Sequence, residues 1–285
     1  LTLFKPLRSL EDSICELAAN RFIVVEEKTD GDRTYTSLSA TQLGRAALVS
    51  ALPPDAALFV FADLQQATKA IALDTELHML YLVTPTNCSI WQGCDWNHMH
   101  SVFSKLSPGE RRVAKLVSHA RYRYTLGLTF QHLTEAIRFP YAFHAFRYSR
   151  PFHPLTFQLH LRFFSALALF DVINEKSVDE VARRFRISRG TLQTLQQQSA
   201  TYAAMVVAFC SRLGWIYLCE LLKGFATRLA FGVRRELTEL VSVAGIDATR
   251  ARVFHEHDVT SMVELSNCTV KRIKEILSLA VPFSR

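Results

Sequence analysis

Apolar positions along this chain recur mostly at three- and four-residue spacing, the mark of helices packed on one another. Leu10, Ile14, Leu17 and Ala18 predict a short amphipathic helix over 10–19. Phe22-Ile23-Val24-Val25-Glu26-Glu27 leaves that period and is β-prone, ending in Lys28-Thr29-Asp30-Gly31-Asp32. Asp-Gly between two extended runs predicts a hairpin, with 35–38 as the return strand. Ser39 is expected to cap a helix that runs through Leu43 to Leu48. Pro53-Pro54 interrupts the pattern and Asp55 opens the next helix. Helical periodicity then covers 57–73, 75–82, 96–105, 108–116, 163–175, 178–184, 190–213 and 215–231. The fold class expected is mainly α, a helical bundle with one β-hairpin. No internal repeat or low-complexity segment interrupts it.

A chain of 285 residues with 49% hydrophobic content can bury a sizeable core. The charge balance, 33 basic against 26 acidic residues, leaves +7. That surplus is concentrated. Between Lys105 and Arg162 lie ten Lys/Arg but only Glu110 and Glu135, interleaved with Tyr122, Tyr124, Phe139, Tyr141, Phe143, Phe146 and Tyr148. Cations with stackable rings suit a single nucleic-acid strand, and equally suit a solvated basic face beside core aromatics. Six cysteines in a chain this long form no dense disulfide framework. The longest apolar run, near 203–210, is far short of a membrane span, so a soluble, intracellular protein without a membrane partner is expected. The first residue is Leu, consistent with a fragment of a longer protein.

Several chemistries leave no signature. No G-x-x-x-x-G-K-[ST] loop is present to cradle a triphosphate, so no cofactor is expected in this chain and no ATP hydrolysis by it alone. Asp179-Glu180-Val181-Ala182 has the look of a magnesium-binding box. Ser177 instead predicts a helix start, with both acids in the first turn, where they complement the helix dipole. Cys88, Cys94, His98 and His100 do not have a common zinc spacing, and Trp91 and Trp96 among them suggest ordinary packing. Catalytic residues and metal sites are therefore both expected to be none.

The polar helix over 190–213 is the sharpest binding candidate. Arg189 stands at its start, and Thr191, Thr194, Gln198, Thr201 and Tyr202 follow at spacings that put short polar groups and a ring along one side. Such a face can hydrogen-bond or stack on bases, and can equally be part of a packed bundle helix. Further on, Gly245-Ile246-Asp247 is short enough for a hairpin between helices, where Gly lets a backbone approach a phosphate. Arg250 and Arg252 follow, and Lys271, Arg272 and Lys274 lie on a later helix. Basic groups around a helix start favour phosphate contacts, although a solvated basic face has the same composition.

Particular stretches resemble a known family. They are Ala40-Thr41-Gln42-Leu43-Gly44-Arg45-Ala46, Leu77-His78-Met79-Leu80-Tyr81-Leu82-Val83-Thr84-Pro85, Arg162-Phe163-Phe164-Ser165-Ala166-Leu167-Ala168-Leu169-Phe170-Asp171-Val172-Ile173 and Gly190-Thr191-Leu192-Gln193-Thr194-Leu195-Gln196. The chain is similar there to the C-terminal part of superfamily-2 DNA helicases of the DNA polymerase theta helicase and helicase POLQ-like family. Val281-Pro282-Phe283 and the 190–196 run lean toward the polymerase theta type. The resemblance covers roughly 10–116 and 160–283. Over 117–161 the family pattern is lost, through an insertion, a linker or a translated intron.

The resemblance implies a partial winged helix over 1–50, a ratchet-like helical bundle over 51–235 and a helix-hairpin-helix over 236–285. Only one of the hairpin's usual glycines is present. The family's ratchet helix offers an Arg and, seven residues later, a Trp to the strand; these positions fall on Thr194 and Thr201 here. The implied whole protein is a nuclear, ATP-dependent 3′-to-5′ DNA helicase of double-strand-break or crosslink repair, with or without a fused polymerase. ATP and Mg2+ would belong to motor domains outside this chain. The implied partners are single-stranded or forked DNA and those motor domains. A non-enzymatic DNA-binding adaptor and a helical protein-interaction module remain the alternatives.

Overall fold

The computed structural model describes residues 10–30, 33–69, 75–86, 95–119 and 154–280. These residues are mainly helical, with one two-stranded antiparallel sheet. They fall into two compact units, one from 1–68 and 204–221, the other from 69–203 and 222–285.

In the first unit, α1 (Leu10–Ala19) leads into β1 (Ile23–Asp30) and β2 (Arg33–Ala40). The register pairs Ile23 with Ala40 and Asp30 with Arg33, so both strands are longer than the expected 22–27 and 35–38. The residues between them, 31 and 32, lie outside the described residues. Ser39 is not a cap, because it sits inside β2 opposite Val24. Thr41 caps α2 (Gln42–Val49) instead. Its hydroxyl accepts from the Gly44 N–H at 3.0 Å and donates to the Arg21 carbonyl at 2.7 Å. Its own N–H donates to the Phe22 carbonyl at 3.0 Å. Helix and hairpin are thereby pinned together, and the contact is tight: a Cβ on Gly44 would lie 2.1 Å from the Phe22 carbonyl oxygen. Then α3 (Pro54–Ala67) starts on a proline, whose missing N–H costs nothing in a first turn. Phe61 on α3 meets the Trp215 ring at 5.2 Å, and Gln42 donates to the Leu213 carbonyl at 3.2 Å.

The second unit is organised on one helix. Preceding it are α4 (Leu77–Leu82), α5 (Trp96–Ser104) and α6 (Pro108–His119), and α7 is Pro154–Ile173. From Phe163 to Ile173 almost every side chain of α7 is buried, with α4 and α6 among the helices packed on it. A helix apolar on all sides belongs in an interior. Helix α7 begins nine residues before the expected 163, so the end of the segment that lost the family pattern is helical. Residues 120–153, with most of the basic-aromatic stretch, lie outside the described residues. One member of that stretch is corrected: Arg162 is 1% exposed and belongs to no solvated face. Its guanidinium donates to the carbonyls of Thr84 at 2.7 Å and Leu82 at 3.1 Å, closing the end of α4, and lies 4.2 Å from the Tyr81 ring centre.

Next come α8 (Val178–Phe185) and α9 (Arg189–Leu213); the latter passes from the second unit into the first after Ala203. Ser177 caps α8 as expected, accepting from the Glu180 N–H, and Asp179 and Glu180 occupy the first turn. The helix expected over 215–231 is two, α10 (Ile216–Leu222) and α11 (Phe225–Phe231). Gly224 between them takes φ 91°, a left-handed conformation that ends α10 and which glycine adopts without Cβ strain.

Beyond a 3-10 turn (Arg235–Leu237), the tail is built from α12 (Thr238–Val241), α13 (Ala248–Glu256), α14 (Met262–Asn267) and α15 (Val270–Leu279). It has a core of its own, from Val233, Leu237, Leu240, Val241, Ala251, Phe254, Val259 and Ile276. Ser261 and Glu264 form a reciprocal capping box on α14. The N–H and hydroxyl of Thr260 also donate to Glu264, which holds that carboxyl below its usual range.

Candidate nucleic-acid interface

Helix α9 has two distinct sides. Leu192, Leu195, Ser199, Ala200 and Ala203 are buried, while Gly190, Gln193, Thr194, Gln197, Gln198 and Thr201 are exposed. The apolar residues seat the helix, and the polar ones are left as a continuous stripe because their period matches the helical turn. The structure therefore brings Thr194, Gln198 and Thr201 together on one open face. Thr194 donates to the Gly190 carbonyl at 2.9 Å and Thr201 to the Gln197 carbonyl at 3.2 Å. Each hydroxyl hydrogen is thus used by the helix and the oxygen's lone pairs face outward as acceptors. Tyr202 is half-buried on the flank of this stripe.

The helix start is built by its neighbours. Ser188 accepts from the Thr191 N–H at 3.0 Å, and the two hydroxyls lie 2.7 Å apart. Arg189 is exposed, and its guanidinium pairs with the carboxylate of Asp179 on α8. Between the two helices, Arg186 takes φ 54° and the Ile187 N–H returns to the Ala182 carbonyl at 3.0 Å. Asp95 holds the Arg186 guanidinium at 2.5 Å. Sequence reasoning passed over Ser188, Gln193 and Gln197. Their signal was a serine three residues before Thr191 and two glutamines four apart on the polar side.

The tail residues do not form a single cluster. Gly245 has φ 89°, and nothing lies within 4 Å of where its Cβ would be. Asp247 caps α13 by accepting from the Arg250 N–H at 2.9 Å, and the Arg250 side chain folds back to the Gly245 carbonyl at 2.5 Å. Arg250 and Gly245 therefore do meet, at an exposed turn before a helix start. Arg252 points elsewhere. Its Nε lies 3.2 Å from Glu175, which also faces Arg234 at 3.6 Å, so Arg252 is engaged in an internal ion pair. Lys271 and Lys274 are exposed on α15, three residues apart and so on one side of it.

Of the four residues weighed as metal ligands, Cys88 and Cys94 lie outside the described residues. His98 is hydrogen-bonded through Nε2 to the Arg184 carbonyl at 2.7 Å, and His100 is half-buried. Among the described residues no helix is long and apolar enough by itself to cross a membrane.

This combination defines a helical module with a long, polar-striped helix. The family described as "DNA_pol_Q helicase like region helical domain" matches residues 54–229, and the chain belongs to that family. The resemblance read from the sequence thus holds. The chain is 53% identical over 268 residues to DNA polymerase theta of Caenorhabditis elegans, covering 94% of this chain and 15% of that protein. With DNA polymerase theta of Mus musculus it shares 33% over 279 residues, 97% of this chain and 10% of the relative. With Helicase POLQ-like of Homo sapiens it shares 25% over 229 residues, 80% of this chain and 19% of the relative. The chain thus corresponds to a small part of each of these larger proteins.

Proposed function

We propose that this chain is the DNA-gripping part of an ATP-dependent 3′-to-5′ DNA helicase of the polymerase theta type, acting in repair of double-strand breaks or crosslinks. The observation that carries the reading is the exposed stripe of Thr194, Gln198 and Thr201 on α9, in a member of a helicase-associated helical family. Short polar groups on a rigid helix can track a single strand without sequence preference. Thr194 and Thr201 replace the larger groups that the family resemblance leads one to expect. Grip therefore depends on hydrogen bonding more than on stacking, with the half-buried Tyr202 as the ring at the stripe's flank.

The tail fits a helix-hairpin-helix, with Gly245 and Arg250 at its hairpin and Lys271 and Lys274 as further phosphate contacts. The hairpin and its following helix fit the later part of a winged helix. In this reading ATP and Mg2+ are bound by motor domains elsewhere in the whole protein, those domains and single-stranded or forked DNA are the partners, and the nucleus is the site of action. A second reading, a protein-interaction module, is favoured by the exposure of Ile216 (74%) and Tyr217 (63%) on α10.

The test is anisotropy of a labelled single strand with the purified chain, with salt raised from about 50 to 200 mM. Binding that falls steeply with salt supports the strand-gripping reading. Salt-insensitive association, or no DNA binding at low salt, overturns it and favours the interaction module.

A further inference from the structure

We infer that Glu175, just past the end of α7, is an autoinhibitory contact that keeps Arg234 and Arg252 off the DNA backbone. The inference rests on the strand-gripping reading and adds to it a control on affinity. Glu175 takes φ 64°, a left-handed conformation that glycine would adopt without strain. What the glutamate adds there is a carboxylate. It faces two guanidiniums at once, the Arg234 Nε at 3.6 Å and the Arg252 Nε at 3.2 Å. Arg234 leads into the tail and Arg252 lies on α13. Both cations therefore belong to the root of the tail, and the anion belongs to the bundle.

The surroundings place this contact between the two proposed DNA-binding parts. Gly232, on the segment that enters the tail, fits closely: a Cβ on it would lie 3.4 Å from Val172 on α7 and 3.2 Å from Gln196 on α9. Gln196 also donates to the Leu229 carbonyl at 2.6 Å. Glu175, one turn beyond Val172, thus sits at the seam where α7, the polar-striped helix and the tail meet. A strand held both by the α9 stripe and by the Gly245 turn must span this seam. The ion pairs there are exchangeable. The carboxylate oxygen nearer Arg252 is buried, yet no aligned hydrogen bond reaches it among the described residues. Charge, more than hydrogen-bond geometry, therefore holds the pair. The side chains of Arg234 and Arg252 are 59% and 39% exposed, and ion pairs this open are weak in water. A phosphodiester offers a guanidinium two anionic oxygens in matching geometry. With Glu175 in place, its charge offsets both arginines at short range, so they add little to binding until the carboxylate is displaced.

The test is anisotropy of a labelled single strand with the purified chain, at salt from about 50 to 200 mM. Glu175→Gln should tighten binding about threefold or more at low salt. It should also steepen the slope of log affinity against log salt by about 0.7–1.4, the mark of one or two further phosphates. Glu256→Gln, the same change of charge on an exposed residue of α13, should leave the slope unaltered. Glu175→Gln/Arg234→Ala/Arg252→Ala should return the slope to that of the unaltered chain. Circular dichroism checks each fold, and Arg234→Ala/Arg252→Ala gives a reading that needs no change at Glu175. Its slope should fall by less than about 0.7. A fall of about 1.4 would mean that both arginines already meet phosphates, which overturns the inference. Salt-dependent binding that Glu175→Gln leaves unchanged, or changes no more than Glu256→Gln, overturns the inference alone. Absence of DNA binding in every variant overturns the strand-gripping reading, and this inference with it.

Discussion

Arg228 on α11 and Glu76 just before α4 form a two-pronged ion pair, NH1 to Oε1 and NH2 to Oε2, both at 2.8 Å. They are 152 residues apart in sequence, and the pair ties α11 to the start of α4 within the second unit. The guanidinium is almost fully buried and its face lies 5.1 Å from the Phe225 ring centre, while the carboxylate is partly open to solvent.

Removing the carboxylate should be costly because it strands a buried cation. We expect Glu76→Ala to destabilise the chain by about 2–3 kcal/mol, somewhat below a fully buried pair because Glu76 is partly solvated. Glu76→Ala/Arg228→Met should lose less than Glu76→Ala alone. Urea midpoints of the two variants decide it. Equal losses would mean that the pair is only a solvated contact.

Gly44→Ala tests how closely α2 lies against the hairpin. The added methyl would sit 2.1 Å from the Phe22 carbonyl oxygen, a backbone atom that cannot swing aside. We expect a loss of about 3 kcal/mol, at or above the usual range for overpacking. Thr41→Ala, which removes the cap and the hydroxyl's bond to the Arg21 carbonyl but introduces no clash, should lose about 1–2 kcal/mol. Thermal melts of both variants give the ranking, and the reverse order would contradict this packing.

Cys210 makes a pH prediction. Burial, with the neighbouring Cys219 adding to it, pushes its thiol up from 9.0 to about 12. The folded chain therefore keeps this proton after the unfolded chain has lost it. The contribution to stability is fully present below pH 9 and is lost as pH rises from about 9 to 12, at up to roughly 1.4 kcal/mol per pH unit. Denaturant midpoints across pH 8 to about 10.5 should fall less steeply in Cys210→Ala than in the parent chain, a range taken from the same linkage. In native conditions near pH 8, an alkylating reagent should modify exposed Cys15 and spare buried Cys210, because the thiolate is the reactive form.

Lys271 and Lys274 test the tail's share of DNA binding. If both meet phosphates, Lys271→Ala/Lys274→Ala should lower the slope of log affinity against log salt by about 1.4–1.8. Arg250→Ala should lower it by a further 0.7 or so. Arg252→Ala should change it less, since that side chain is turned to Glu175. A slope unaltered by the lysine substitutions would remove the tail from the interface.

Much of this architecture was legible in the chain because it depends on local periodicity and local capping. Leu10, Ile14 and Leu17 marked a helix that is present over Leu10–Ala19. Ser177 marked the start of α8, and Leu192 and Leu195 marked the seated side of α9. The polar residues opposite them followed automatically as the exposed stripe. The errors arose where two signals competed within a few residues. Ser39 and Thr41 are both plausible caps, and the choice depended on how far β2 runs, which its pairing with β1 decides. Gly224 lies inside a periodic apolar run, and its left-handed conformation is what divides the helix there.

By itself the sequence determined the helical class, the hairpin, the family and the polar side of α9, because each follows from residue type and spacing along a continuous stretch. Only the tertiary structure decided what becomes of each charge. Arg162 looked like part of a basic surface and instead closes α4 from the interior, through carbonyls some eighty residues away. Arg252 and Arg250 read alike as phosphate contacts, yet one is turned to Glu175 and the other stands at the Gly245 turn. A side chain's charge is written in the sequence. Its partner is set by which distant carboxylate or carbonyl the fold brings within about 3 Å, the range over which such contacts are made.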